Sequence, residues 1–141
     1  GDPATRGLVV HEVFRGRDPA AVLRRYGMDA GRAAEYRELY ERFRASPPMQ
    51  GITRDHCEVP FLARVHGVPF KGVIDRLVQM NDGSWALIDC KTVSHGEDLS
   101  EVVSAYLEQI GTYVKAISNL FGKPLKSYLY LSESGKMVHM K

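Results

Sequence analysis

Asp75, Asp89 and Lys91 are the side chains of this sequence whose types and spacing suit chemistry on a phosphate. Asp89 and Lys91 are two residues apart, so on a strand they share a face. Asp75 sits inside the run Val73-Ile74-Asp75-Arg76, and Asp89 inside Trp85-Ala86-Leu87-Ile88-Asp89-Cys90-Lys91-Thr92. The two runs are joined by Asn81-Asp82-Gly83-Ser84, whose Asp-Gly pair is a short hairpin signal. A carboxylate among apolar strand residues is costly unless a cation meets it, and a neighbouring lysine invites an anion. Phosphodiester hydrolysis asks for that combination. A divalent cation is held by a few oxygens with positions left open for water and a phosphate oxygen.

Other residues could complete such a centre. The Cys90 carbonyl is the kind of neutral oxygen a hard cation accepts. Lys91 could stabilise charge building on the phosphate or orient the attacking water. His11 could add an imidazole, which would let manganese serve alongside magnesium. Gln109 and Tyr113 are four apart on a helical stretch, hence on one face, and could hydrogen-bond a nucleic-acid backbone or the ligands themselves. Each has a plainer reading. Asp75 with Arg76, and Asp89 with Lys91, could be ordinary ion pairs. His11 lies in an apolar run and could be a boundary histidine satisfied by the backbone. Gln109 and Tyr113 could be boundary residues of an amphipathic helix. Trp85, Tyr128 and Tyr130 read as core and edge-strand residues.

The elements that must position these groups follow from periodicity and punctuation. A short helix is predicted over 7–14. A second is opened by Asp18-Pro19 and closed at Gly27. A third spans 31–45, with Ala34, Leu39, Tyr40 and Phe43 apolar, a mixed-charge solvated face, and Pro47-Pro48 as its stop. From Thr53 the period becomes two. Strands are predicted over 57–65, 70–80 and 85–92, with an edge position or bulge at Pro60. A polar loop over 93–97 precedes the longest helix, 99–121, capped by Gly122. Strands over 125–131 and 137–140 finish the chain. Short connections make the first three strands an antiparallel meander, and the helix before the next strand makes a crossover. The fold class is therefore α/β, a mixed central sheet flanked by helices.

Composition narrows the field without choosing a function. The 141 residues suit one domain, and 44% hydrophobic with 26% charged residues is ordinary for a globular chain. A net charge of +2 means that any phosphate-binding surface must be local. The two cysteines lack CxxC spacing, which excludes an all-cysteine zinc or iron–sulfur site within this chain; two free thiols in a reducing cytoplasm are expected. No apolar run is long enough to suggest a membrane span, and the start lacks the basic-then-apolar plan of a secretory signal. The chain opens without Met, as expected of a single domain, 1–141, cut from something longer.

Five blocks in order carry a resemblance: Gly7-x-x-x-His11, Glu58-Val59-Pro60-Phe61, Gly72-Val73-Ile74-Asp75-Arg76, Ile88-Asp89-Cys90-Lys91-Thr92 and Gln109-x-x-x-Tyr113. Together they resemble the RecB/AddA-type branch of the PD-(D/E)xK nucleases, over nearly the whole chain. The resemblance implies a restriction-endonuclease-like core and a Mg²⁺-dependent deoxyribonuclease, of exonuclease type, that leaves 5′-phosphate ends. It also implies a helicase domain or subunit in the same machine, serving recombination and double-strand-break repair. It makes the positions of His11, Asp75, Asp89 and the Cys90 carbonyl metal ligands. Lys91 matches the catalytic lysine, Gln109 and Tyr113 the motif that marks the branch, and Glu58 a recurrent acidic position. Cys90 stands where a tyrosine is common, which a carbonyl ligand tolerates. The cysteine cluster that holds an iron–sulfur group in some relatives is missing. So is a GxxxxGK[ST] loop, which places ATP-driven unwinding outside these residues. The alternative is a nuclease-like domain that binds DNA or scaffolds a helicase complex without cutting.

Overall fold

The computed structural model describes residues 2–93 and 96–140. Three helices come first: α1, Pro3–Phe14; α2, Pro19–Arg25; and α3, Ala33–Ala45. Next come the strands β1, Ile52–Val65, β2, Val68–Met80, and β3, Trp85–Lys91. Helix α4, Leu99–Phe121, leads to β4, Lys126–Leu131, and β5, Lys136–Met140. The five strands form one sheet in the order β1-β2-β3-β4-β5. All neighbours are antiparallel except β3 and β4, which are parallel and bridged by α4. The meander, the crossover and the mixed sheet are those expected.

Local differences have local causes. Helix α1 starts at Pro3, four residues before the predicted start. Asp2-Pro3 repeats the opening chemistry of Asp18-Pro19, with the Asp2 carboxylate accepting from Ala4 N at 3.3 Å. The third helical segment begins with a 3₁₀ turn, Ala30–Arg32, capped by Asp29, and its most buried aromatics are Tyr36 and Phe43. Tyr36 was not among the expected apolar positions. The polar loop expected over 93–97 lies partly outside the described residues. Pro60 is on an edge strand, as a residue without an N–H must be, and the residue of irregular backbone lies two positions earlier, Glu58, with φ 52°.

The sheet separates two cores. On one face, Val9, Val10, Val13 and Phe14 of α1, Val22 and Leu23 of α2, and Tyr36 and Phe43 of α3 pack against Val78, Ala86, Ile88, Cys90 and Tyr130. On the other, α4 brings Tyr106 and Ile117 down onto Ile74, Leu77, Leu87, Leu129 and Leu131. The β1–β2 hairpin is longer than β3, so its far half leaves the sheet as an arm. A two-residue turn, His66 and Gly67 at φ 51° and 78°, closes it. Phe70 on the arm stacks on Tyr113 of α4, with ring centroids 4.6 Å apart. Phe61 lies over Gly72, where a Cβ would come within 2.6 Å of the ring, so only glycine fits there.

Candidate active site

Asp75 and Asp89 meet because two strands stop pairing at the right residue. The β2–β3 ladder runs from Gln79↔Trp85 to Arg76↔Ile88. The next positions in that register are Asp75 and Asp89, and there the strands part. Two like charges directly opposite disfavour a tight ladder. In place of a ladder bond, the Cys90 N–H donates to Asp75 Oδ2 at 3.4 Å. Strand alternation does the rest. Cys90 points into the helical core while Asp89 and Lys91 line a cleft under α4.

That cleft has a volume of about 310 Å³. Asp75, Asp89, Lys91, Gln109 and Tyr113, all expected at the site, open onto it together with Tyr106. Phe61, Phe70, Ile110 and Ile117 make its apolar walls. Gln109 and Tyr113 do share a face of α4, and Tyr113 is also the residue that meets the arm. His11 reaches the pair from the opposite side, its Nδ1 lying 3.2 Å from Asp75 Oδ1. A second, shallower cleft against α1 has His11, Asp89, Cys90 and Lys91 in its wall. The two clefts thus share Asp89 and Lys91.

Neither ordinary ion pair foreseen for the aspartates is present. The partner of Asp75 is His11, while Arg76 turns to the other face. There it donates to Asp55 at 2.9 and 2.7 Å and to the Phe14 carbonyl. Lys91 makes its close contact with the Tyr106 ring, 5.9 Å from the centroid. The sheet anchors the Lys91 backbone, whose carbonyl accepts from Ser132 N at 3.0 Å. Glu58 forms an ion pair with Arg15 at 2.5 Å, four residues beyond His11. It ties the end of α1 to β1 and so supports the helix that carries the imidazole.

The electrostatics of the pair are divided. Burial raises Asp75, but the hydrogen bond and charge of His11 outweigh it and hold the carboxyl below its usual range. Burial and the charge of Asp75 push Asp89 up. His11 is raised mainly by its hydrogen bond to Asp75. Asp75 is thus the firm anion and Asp89 the one that retains a proton longer. Among the described residues, no three His, Cys, Asp or Glu side chains converge on one point. His11 turns its Nδ1 to Asp75, which leaves two carboxylates sharing one opening. The donor chemistry still fits a divalent cation. Two half-buried, mutually repelling carboxylates are hard oxygen ligands, and the buried Tyr106 hydroxyl beside them has no hydrogen-bond partner. In the sequence Tyr106 reads only as part of the apolar stripe; its place three residues before Gln109 is the signal that could have found it.

Comparison with known proteins gives the family. A family model described as the PD-(D/E)XK nuclease superfamily matches residues 2–139. A 73-residue stretch is 41% identical to an ATP-dependent helicase/nuclease subunit from Desulforamulus reducens. That match covers 50% of this chain and 6% of the relative, so the chain spans a small part of that protein's length. With its mixed five-stranded sheet, its paired aspartates and a family match over almost every residue, the chain belongs to the PD-(D/E)XK nuclease superfamily.

Proposed function

We propose that this domain is a metal-dependent deoxyribonuclease that hydrolyses phosphodiester bonds at the Asp75–Asp89 opening, with Mg²⁺ as its ion and Mn²⁺ able to replace it. The observation that carries the reading is the placement of Asp75, Asp89 and Lys91 on one cleft where the β2–β3 ladder opens. Nucleases of this superfamily generally use divalent metal ions. Here Asp75 and Asp89 would hold the cation, with the Cys90 carbonyl and His11 as further ligands. The ion would supply Lewis-acid stabilisation of the phosphate and a more acidic bound water.

The chain's own groups have separate tasks in this reading. Before an ion binds, His11 keeps Asp75 ionised and oriented. Lys91 brings a positive charge to the phosphate oxygen that gains negative charge during attack. Gln109 offers neutral hydrogen bonds to the DNA backbone at the cleft's mouth. Tyr113 holds the arm against α4 and fixes the width of the cleft. The partial relative is named as a helicase/nuclease subunit, which supports a helicase domain or subunit as the partner that delivers DNA. End processing in recombination and double-strand-break repair, by exonucleolytic cutting, is the role that fits such a partnership.

The test is hydrolysis of end-labelled linear DNA by the 141-residue chain with Mg²⁺ or Mn²⁺, beside Asp89→Ala and Lys91→Ala. Cleavage by the wild type and a loss of at least about 100-fold in both variants is expected. Equal cleavage by all three, or DNA binding with no cleavage under either ion, would sink the reading; the second outcome would favour a silent DNA-binding or scaffolding domain.

A further inference from the structure

We infer that Tyr106 is a positioning residue of this centre, holding the Asp89 carboxylate through its hydroxyl and the Lys91 ammonium over its ring. The inference rests on the proposed metal reading and adds a residue that none of the five motif blocks contains. Three observations on α4 carry it. The side chain is 4% exposed and packs with Leu129, Leu131 and Met140, so its ring is fixed by the core. Its hydroxyl is buried beside the cleft that Asp89 also lines and meets no partner at hydrogen-bonding geometry. The Lys91 Nζ lies 5.9 Å from its ring centroid, within cation–π range.

Packing alone gives no reason for the hydroxyl. Phenylalanine would fill the same space without burying an unpaired donor, which is a cost to folding. The cost is explained if the hydroxyl acts when the centre is loaded. With Asp89 holding an ion, the hydroxyl would donate to the Asp89 carboxylate and so set the orientation of the ligand. The ring meanwhile gives Lys91 a favourable place without neutralising it, as an acidic partner would. Tyr106, Gln109, Ile110 and Tyr113 all line the cleft at helical spacing. The face that α4 presents to the site therefore starts one turn before the Gln109–Tyr113 pair.

Tyr106→Phe separates this role from packing. Three measurements on the 141-residue chain are needed: calorimetric titration with Mn²⁺ alone, kcat and KM on labelled linear DNA, and the thermal midpoint. Loss of the hydroxyl should weaken Mn²⁺ binding about 10-fold or more. It should lower kcat with little change in KM, and leave the midpoint equal to or above that of wild type. Tyr106→Leu, which also removes the ring from Lys91, should lower kcat further. A Tyr106→Phe protein with wild-type Mn²⁺ affinity and kcat would overturn the role. So would a lowered midpoint with kcat restored in the folded fraction, which would make the residue purely structural. A wild type that neither binds Mn²⁺ nor cuts DNA would instead overturn the metal reading, and this role with it.

Discussion

Arg76 and Asp75 are adjacent in the chain, and strand alternation sends them to opposite faces of the sheet. Under α1–α3, Arg76 is 5% exposed, pairs with both oxygens of Asp55, donates to the Phe14 carbonyl and lies over the Phe43 ring. Its charge is matched on every side. Under α4, Asp75 confronts a second carboxylate across an unpaired stretch of ladder, and the Tyr106 hydroxyl beside them has no partner. The first arrangement is complete and holds the fold together. The second has His11 on Asp75 alone, and is complete only when something positive reaches Asp89 as well. Two facing carboxylates with an unpartnered hydroxyl beside a cleft, one residue from a charge so fully matched, mark where function was placed at the expense of stability.

The contrast can be broken by experiment. Asp89→Asn should show the largest effect, a fall in DNA cleavage of at least about 1,000-fold in a labelled-substrate assay. Its urea midpoint should hold or rise, because one of two repelling carboxylates is gone. A variant that loses stability in step with activity would mean that Asp89 belongs to the frame. Arg76→Ala should do the reverse. We expect a loss of about 3 kcal/mol in denaturant unfolding, since removing one partner strands the other beside a buried carbonyl. The folded fraction should keep its cleavage rate per molecule.

Phe70→Ala should be milder. It removes the stack that joins the arm to Tyr113, costing about 1 kcal/mol beyond the lost burial, and should raise KM for DNA more than it lowers kcat. An unchanged KM would mean that the arm does not bound the substrate. The smallest effect sharpens the helical face alone. The Glu12 carboxylate is held down to about 2, first by its bond to Arg25 and then, against burial, by Tyr26 and Arg17. A group depressed in the folded state stabilises it above the ordinary value of 4.5, and the benefit fades as pH falls from there toward 2. Unfolding free energy measured across that window should therefore decline more steeply for wild type than for Glu12→Gln.

Much of this could be read from residue order. The meander, the crossover helix and the helix caps rest on local periodicity and turn chemistry, which the chain carries in neighbouring residues. The ordered motif blocks likewise named the family, and strand alternation placed Asp89 beside Lys91. What local pattern cannot encode is the partner across a gap. The pairing of His11 with Asp75, of Arg76 with Asp55 and of Glu58 with Arg15 depends on which face each strand turns to a helix or strand distant in sequence. Tyr106 shows the same limit, since an apolar-stripe position and a residue under a lysine look alike until α4 is laid on the sheet. The sequence supplied two aspartates and a lysine; only the packed sheet, with its ladder ending between Arg76 and Asp75, brought the carboxylates to one opening. The reason is physical: chain neighbours interact whatever the fold, whereas groups 14 residues apart meet only where register and the end of a ladder place them.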